Sequence, residues 1–214
     1  MRYQGLIFDF DGTIADTLLA TLRIYNDLAA DSGFRHVEME DVARLRDMDA
    51  RAVLDHLNIP KRRVPLLLAK GRRMLKRDLT TIPLIDGIKE SLPLLREGAE
   101  CFGILTSNAT ENVETFLEIH GLRHLFTFIS STSTLSGKST HLRSIARTFS
   151  MNPSQLLYIG DEIRDIRASR KAGIDIAAVT WGFNSRDSLA AENPRHLIDT
   201  TAQLLAIVGG PAEA

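Results

Sequence analysis

Cysteine is almost absent from this chain of 214 residues, which has only Cys101. That excludes an intramolecular disulfide and a cysteine-rich metal site, and it fits a reducing compartment. Neither sign of charge dominates. Lys and Arg number 26 against 27 Asp and Glu, a formal net charge of -1, so no global basic field points to nucleic acid. Long apolar runs are also lacking. None approaches the roughly 20 residues that span a bilayer. The opening run Leu6-Ile7-Phe8 is cut short by Asp9 and Asp11, so no signal-peptide core is expected there. There is no internal repeat. The expectation is a cytoplasmic protein of one or two domains with no membrane or nucleic-acid partner.

What is present is a sheet former's pattern. Short continuous apolar runs occur at 6–8, 101–105, 125–129, 156–159 and 174–179. Such runs suit strands of a parallel sheet covered on both faces. Helical periodicity fills the gaps at about 86–98, 110–120, 138–149 and 163–172. Strand-helix alternation predicts an α/β fold, a doubly wound Rossmann-like core. One stretch breaks it. From Asp16 to Pro83 only helical spacing appears, as in Leu18, Leu22, Tyr25 and Leu28, or Val64, Leu67, Leu68 and Leu75. An all-helical insert over 16–83 is expected, with 1–15 and 84–214 forming the core. Pro83 and the Asp86-Gly87 turn mark the return to it, and the tail from Gly209-Gly210-Pro211 is expected to fray.

Chemistry gathers at the first strand end, in Asp9-Phe10-Asp11-Gly12-Thr13. Ligands of open α/β sheets bind beyond the carboxyl ends of the strands. Two carboxylates two residues apart would crowd that place, at a cost that a cation or a reaction must offset. Gly12 permits a tight turn and lets backbone N–H groups face an anion. Thr13 is expected to lock the turn. Downstream, Thr106-Ser107-Asn108 ends another strand, where a hydroxyl and backbone N–H groups suit a phosphate. Ser136-Gly137-Lys138-Ser139 looks like the tail of a nucleotide P-loop, but Thr132 stands where that motif needs its first glycine, which argues against one. Asp161, Glu162 and Asp165 follow a further strand, and such hard oxygen donors suit Mg²⁺.

Together these motifs, in this order, resemble the haloacid dehalogenase superfamily, specifically phosphatases with a helical cap. The resemblance covers nearly the whole chain. It implies that Asp9 is a nucleophile forming an aspartyl-phosphate and that Asp11 is the general acid/base. It implies that Lys138 and Thr106 hold the phosphate, with Ser107, Asn108 and the Gly12 turn beside them. Mg²⁺ would be bound by Asp9, the Asp11 carbonyl and Asp161, with Asp165 nearby through water or Lys138. Glu162 is open to either acidic role. One departure is Lys138-Ser139, where many relatives carry Lys-Pro. The implied activity is Mg²⁺-dependent hydrolysis of a small phosphorylated metabolite by a monomer or homodimer.

The insert is then a cap that closes the site. Its basic run, Lys61, Arg62, Arg63, Lys70, Arg72, Arg73, Lys76 and Arg77, reads as the solvated face of an amphipathic helix. Arg44, Arg46 and Arg51 lie where relatives keep specificity residues, and Arg46 is carried as the substrate-gripping candidate. Trp181-Gly182-Phe183-Asn184 resembles a loop of phosphoglycolate phosphatases. Two alternatives share these motifs. One is a phosphomutase of the β-phosphoglucomutase type; the other is a non-catalytic binding protein. The second carboxylate, Asp11, argues against a dehalogenase. Asp9, Asp11, Lys138 and Asp161 are all present, which argues against lost catalysis.

Overall fold

A computed structural model describes residues 3–132 and 137–209. Ser136 and the tail beyond Gly209 lie outside the described residues. Six parallel strands form one sheet in the order β3-β2-β1-β4-β5-β6. They are β1 (Gly5–Phe8), β2 (Cys101–Thr106), β3 (Phe128–Ser131), β4 (Leu156–Gly160), β5 (Asp175–Val179) and β6 (His196–Ile198). Because side chains alternate along a strand, each strand feeds two cores. Leu6, Phe8, Phe102, Ile104, Leu157 and Ile159 face one side. Ile7, Cys101, Leu105, Leu156 and Tyr158 face the other. The first core is covered by α5 (Ile88–Arg96), α6 (Thr110–Ile119) and α10 (Thr201–Gly209). The second is covered by α7 (Lys138–Thr148), α8 (Ile163–Ala172) and α9 (Arg186–Ala191). This is the expected doubly wound α/β core.

Two sequence expectations shift. The run at 125–129 is not a strand from its start. Leu125 ends a 3-10 turn and, with Phe126, is buried. Pairing begins only where Phe128 meets Gly103, so the strand runs to Ser131. The elements β6, α9 and α10 were not anticipated, since a three-residue edge strand carries too short an apolar signal.

The strand order reverses at β1, which lies between β2 and β4. The chain goes from β1 to β2 and β3 on one side, then returns to β4 on the other. That switch point opens a crevice at the carboxyl ends of the central strands. Between β1 and α5 the chain inserts α1 (Leu18–Ser32), α2 (Met39–Arg46), α3 (Ala50–His56) and α4 (Val64–Asp78), the expected helical cap. Its two crossing segments pair with each other. Ala15 bridges Leu84, Asp16 N–H donates to Pro83 O at 3.0 Å, and Ile85 N–H to Ile14 O at 2.9 Å. On α4, Leu75 is buried while Lys70, Arg73, Lys76 and Arg77 are exposed, as the amphipathic reading expects. Arg72 is the exception, half-buried toward the core.

Candidate active site

Asp9 is the residue at which β1 leaves the sheet. Its N–H still donates to Ile159 O at 2.7 Å, and beyond it the N–H groups of Ile14 and Ala15 converge on Phe10 O. Gly12 closes this turn with φ of 75°, a left-handed conformation that costs any other L-residue roughly 1–2 kcal/mol. A Cβ there would also collide with Asp161 Oδ2. The Gly12 N–H is taken by Ala15 O at 2.9 Å, so Gly12 serves the turn and the close approach of Asp161 and does not offer that N–H to an anion. The Thr13 N–H donates to Phe10 O within the turn at 3.3 Å, but the Thr13 side chain does not lock the turn as expected. Its buried hydroxyl donates across to Asp161 Oδ1 at 2.7 Å, linking the ends of β1 and β4.

Asp9 is 2% exposed. Its Oδ1 accepts from Phe10 N–H at 2.8 Å, and its Oδ2 from Lys138 Nζ at 2.5 Å. The same ammonium donates to Asp165 Oδ1 at 2.6 Å, so Lys138, at the first position of α7, sits between two buried carboxylates. The sequence alone left open whether Asp165 would act through water or Lys138; here the contact with Lys138 is direct. Burial works against the lysine's charge, but Asp165 and Asp9 outweigh it and push its pKa up. Burial pushes Asp9 up to about 7, against the pull of Lys138. The Asp165 carboxylate also accepts from Glu162 N–H at 3.1 Å, which closes a capping box at the start of α8.

Asp11 is half-buried, and Asn108 holds its carboxylate. Both of its oxygens accept from Asn108 Nδ2, at 3.2 and 3.1 Å. Burial raises its pKa, and the Asn108 bonds only partly offset this. Asn108 is itself fixed: its N–H donates to Thr106 Oγ1 at 2.9 Å, and its Oδ1 accepts from Asn112 Nδ2 at 3.0 Å. It therefore acts on Asp11, a role that sequence reasoning did not assign. Thr106 is fully buried. Its oxygen accepts from Asn108, which leaves its own proton to donate. Ser107 Oγ lies 3.3 Å from Arg164 Nη2.

The carboxylate oxygens of Asp9, Glu162 and Asp165 lie within 4.8 Å of one another. Asp161 stands apart from this trio, its oxygens engaged by Thr13 and by Phe183 N–H at 2.7 Å. Burial and the neighbouring charges of Glu162, Asp9 and Asp165 push its pKa well up. Asp9, Asp11, Asp161, Glu162 and Asp165 together outnumber the cations Lys138 and Arg164. A cluster of hard oxygen donors with surplus negative charge suits a divalent cation such as Mg²⁺. Arg164 is the second cation that sequence reasoning missed; its Nε donates to Glu162 Oε1 at 2.8 Å.

The cap meets this crevice at α2 and α3. Asn184 Nδ2 donates to Arg46 O and Met48 O, both at 2.9 Å, while its Oδ1 accepts from Ile163 N–H. Trp181 Nε1 donates to Thr13 O at 3.3 Å, so the 181–184 loop ties the first turn, α8 and the cap together. Of Arg44, Arg46 and Arg51, the first and last are exposed and only Arg46 reaches the cavity above the site, which Arg72 of α4 also lines. Arg46 Nη2 donates to Thr180 O at 3.0 Å, and its buried Nε has no partner among the described residues.

Residues 6–179 match the family described as haloacid dehalogenase-like hydrolase. A phosphoglycolate phosphatase of Synechococcus elongatus is 36% identical over 205 residues, covering 96% of this chain and 97% of that protein. A phosphoglycolate phosphatase of Haemophilus influenzae is 30% identical over 128 residues, 58% of this chain and 57% of its own length. A haloacid dehalogenase-like family hydrolase from Streptococcus pneumoniae shares the fold with a TM-score of 0.81 at 20% identity, covering 96% of this chain and 98% of that one.

Proposed function

The chain belongs to the haloacid dehalogenase-like hydrolase family, and on that premise we propose that it is a Mg²⁺-dependent phosphatase acting on a small phosphomonoester through an aspartyl-phosphate on Asp9. The observation that carries this reading is the environment of Asp9. A buried carboxylate at the switch point of the sheet contacts a buried lysine, with a second carboxylate two residues on. The relatives' names make phosphoglycolate the first compound to test. Residues 16–83 are read as the cap and 1–15 with 84–214 as the core; the bridge between the two crossing segments at Ala15 and Leu84 supports that division.

An Asp9 oxygen attacks phosphorus as the bond to the leaving oxygen breaks, and Asp11 gives that oxygen its proton. Burial that raises the Asp11 pKa favours the protonated form that this step needs. Asp11, now ionised, then takes a proton from water as the water attacks phosphorus. The bond to Asp9 breaks and inorganic phosphate leaves. Lys138 and the Thr106 hydroxyl are placed to stabilise the phosphoryl oxygens, and Lys138 also holds Asp9 in position. A divalent cation held by Asp9, Glu162 and Asp165, with Asp161 and the Asp11 carbonyl as further donors, would neutralise charge on the transferred group.

The test is phosphate release from a panel of phosphomonoesters, with Mg²⁺ and with chelator, for wild type and Asp9→Asn. Release that needs the metal and is lost in Asp9→Asn, with the circular dichroism unchanged, is the expected result. Near-normal release by Asp9→Asn would overturn the nucleophile, and full activity in excess chelator would overturn the metal.

A further inference from the structure

Between the site and the cap lies a cavity of about 430 Å³. Its polar walls at the core end are Asp11, Ser107, Asn108, Glu162 and Arg164. Nearly everything above them is apolar. Leu18, Leu22 and Leu28 come from α1, Val42 from α2, Leu54 from α3 and Leu68 from α4. No residue of α2 or α3 is fully buried, although both helices carry these apolar side chains. The cap has only a small packed cluster of its own, built on Val37, Leu57 and Ile59, and these and the neighbouring apolar side chains line a hollow. A packed bundle would have closed it, because unfilled apolar space costs stability.

Most polar groups of the cap in this wall are turned to other partners, Arg72 among them, whose Nη2 donates to Thr132 O at 3.5 Å. The Tyr25 hydroxyl donates to Arg35 O at 2.6 Å, and Arg46 Nη2 to Thr180 O. The guanidinium fork that would clamp a second anion on two points is thus partly spent on a backbone carbonyl. A phosphate seated at Asp9 would project its organic group past Asp11 into this space. A cavity of about 430 Å³ is far above the roughly 10–15 Å³ that one water needs by the same measure. A two-carbon glycolate would leave most of it unfilled.

Resting on the phosphatase reading, we propose that the substrates of this enzyme are phosphomonoesters with an apolar alkyl, isoprenyl or aryl group, which occupies the cap cavity, rather than small dianionic phosphates. Burial of such a group adds binding energy remote from the reacting bond, and so raises kcat/KM.

The experiment measures phosphate release from ethyl, butyl, hexyl and octyl phosphate, p-nitrophenyl phosphate and phosphoglycolate, all as monomers in solution with Mg²⁺. A kcat/KM that climbs about two- to fourfold per added methylene is expected, from about 0.8 kcal/mol for each buried CH₂. Val42→Trp and Leu68→Trp, which fill the hollow from opposite walls, should each lower the octyl-to-ethyl ratio at least tenfold. These two side chains line the cavity without packing on the buried clusters, and the wild-type series stands even if a variant does not fold. A flat series, an unchanged ratio in folded variants, or a kcat/KM for phosphoglycolate above that for octyl phosphate would overturn the apolar pocket and leave the phosphatase standing. No release from any of the compounds would overturn the phosphatase reading, and this inference with it.

Discussion

Lys138→Met removes one charge and keeps most of the side chain's bulk. The ammonium lies 2.5 Å from Asp9 and 2.6 Å from Asp165, all three residues being 2% exposed or less. Its loss leaves two facing carboxylates in a buried place with no cation between them. Breaking a buried ion pair by removing one partner typically costs about 3–5 kcal/mol. For a domain of this size 1 kcal/mol moves Tm by about 2–4 °C, so a drop of roughly 6–20 °C is expected for the metal-free variant at pH 8. The carboxylates can relieve the conflict by taking up protons, so the drop at pH 5 should be smaller. The Asp9→Asn/Lys138→Met double variant should regain part of the loss, with a coupling of about 1–3 kcal/mol. Thermal and denaturant unfolding of the four proteins at both pH values tests this. A metal-free Lys138→Met that unfolds within about 2 °C of wild type at pH 8, with no coupling to Asp9, would refute the reasoning.

Stability of the metal-free protein should fall as pH rises from about 4 to 7. Asp9 has a folded pKa of about 7 against the ordinary 3.8, so across that window the folded state keeps a proton that the unfolded state has lost, and stability declines with pH until it levels above 7. Mg²⁺ should therefore raise Tm more at pH 8 than at pH 5, and an equal rise at both would contradict the buried carboxylate cluster. Asp11→Asn should lower kcat by about 10²–10⁴. Asn108→Leu should lower kcat while moving the pH dependence assigned to Asp11, which a merely structural residue would not do; pH-rate profiles of both variants are the check. Gly12→Ala should destabilise the protein by at least about 2 kcal/mol, from the strained φ and the collision with Asp161; an unaffected denaturation midpoint would disprove that account of the turn.

Continuous apolar runs read directly as buried parallel strands, because a strand covered on both faces needs apolar residues at every position. The helical insert was equally legible, since Leu18 through Leu75 hold one spacing while no strand-like run intervenes. The edge strand His196–Ile198 was not, because pairing on one side of a sheet needs little sequence signal. The acidic and basic residues of the site were legible as types at strand ends. Their partners were less so: Thr13 reaches Asp161, 148 positions away, and Asn108 reaches Asp11 across 97.

The order of motifs along the chain therefore determined the family and the layered core, and it put Asp9, Asp11, Lys138 and Asp161 forward as candidates for one site. Local spacing and strand ends place such residues near one crevice whatever the details. Only the tertiary structure decided that Lys138 lies between Asp9 and Asp165, that Glu162 joins them while Asp161 faces Thr13 and Phe183, and that of the cap arginines Arg46 and Arg72 reach the cavity while Arg44 and Arg51 do not. Only it showed that the cap helices line an apolar hollow. Periodicity tells which face of a helix is apolar, but whether that face meets a neighbour or a space depends on distances between helices that one-dimensional spacing does not carry.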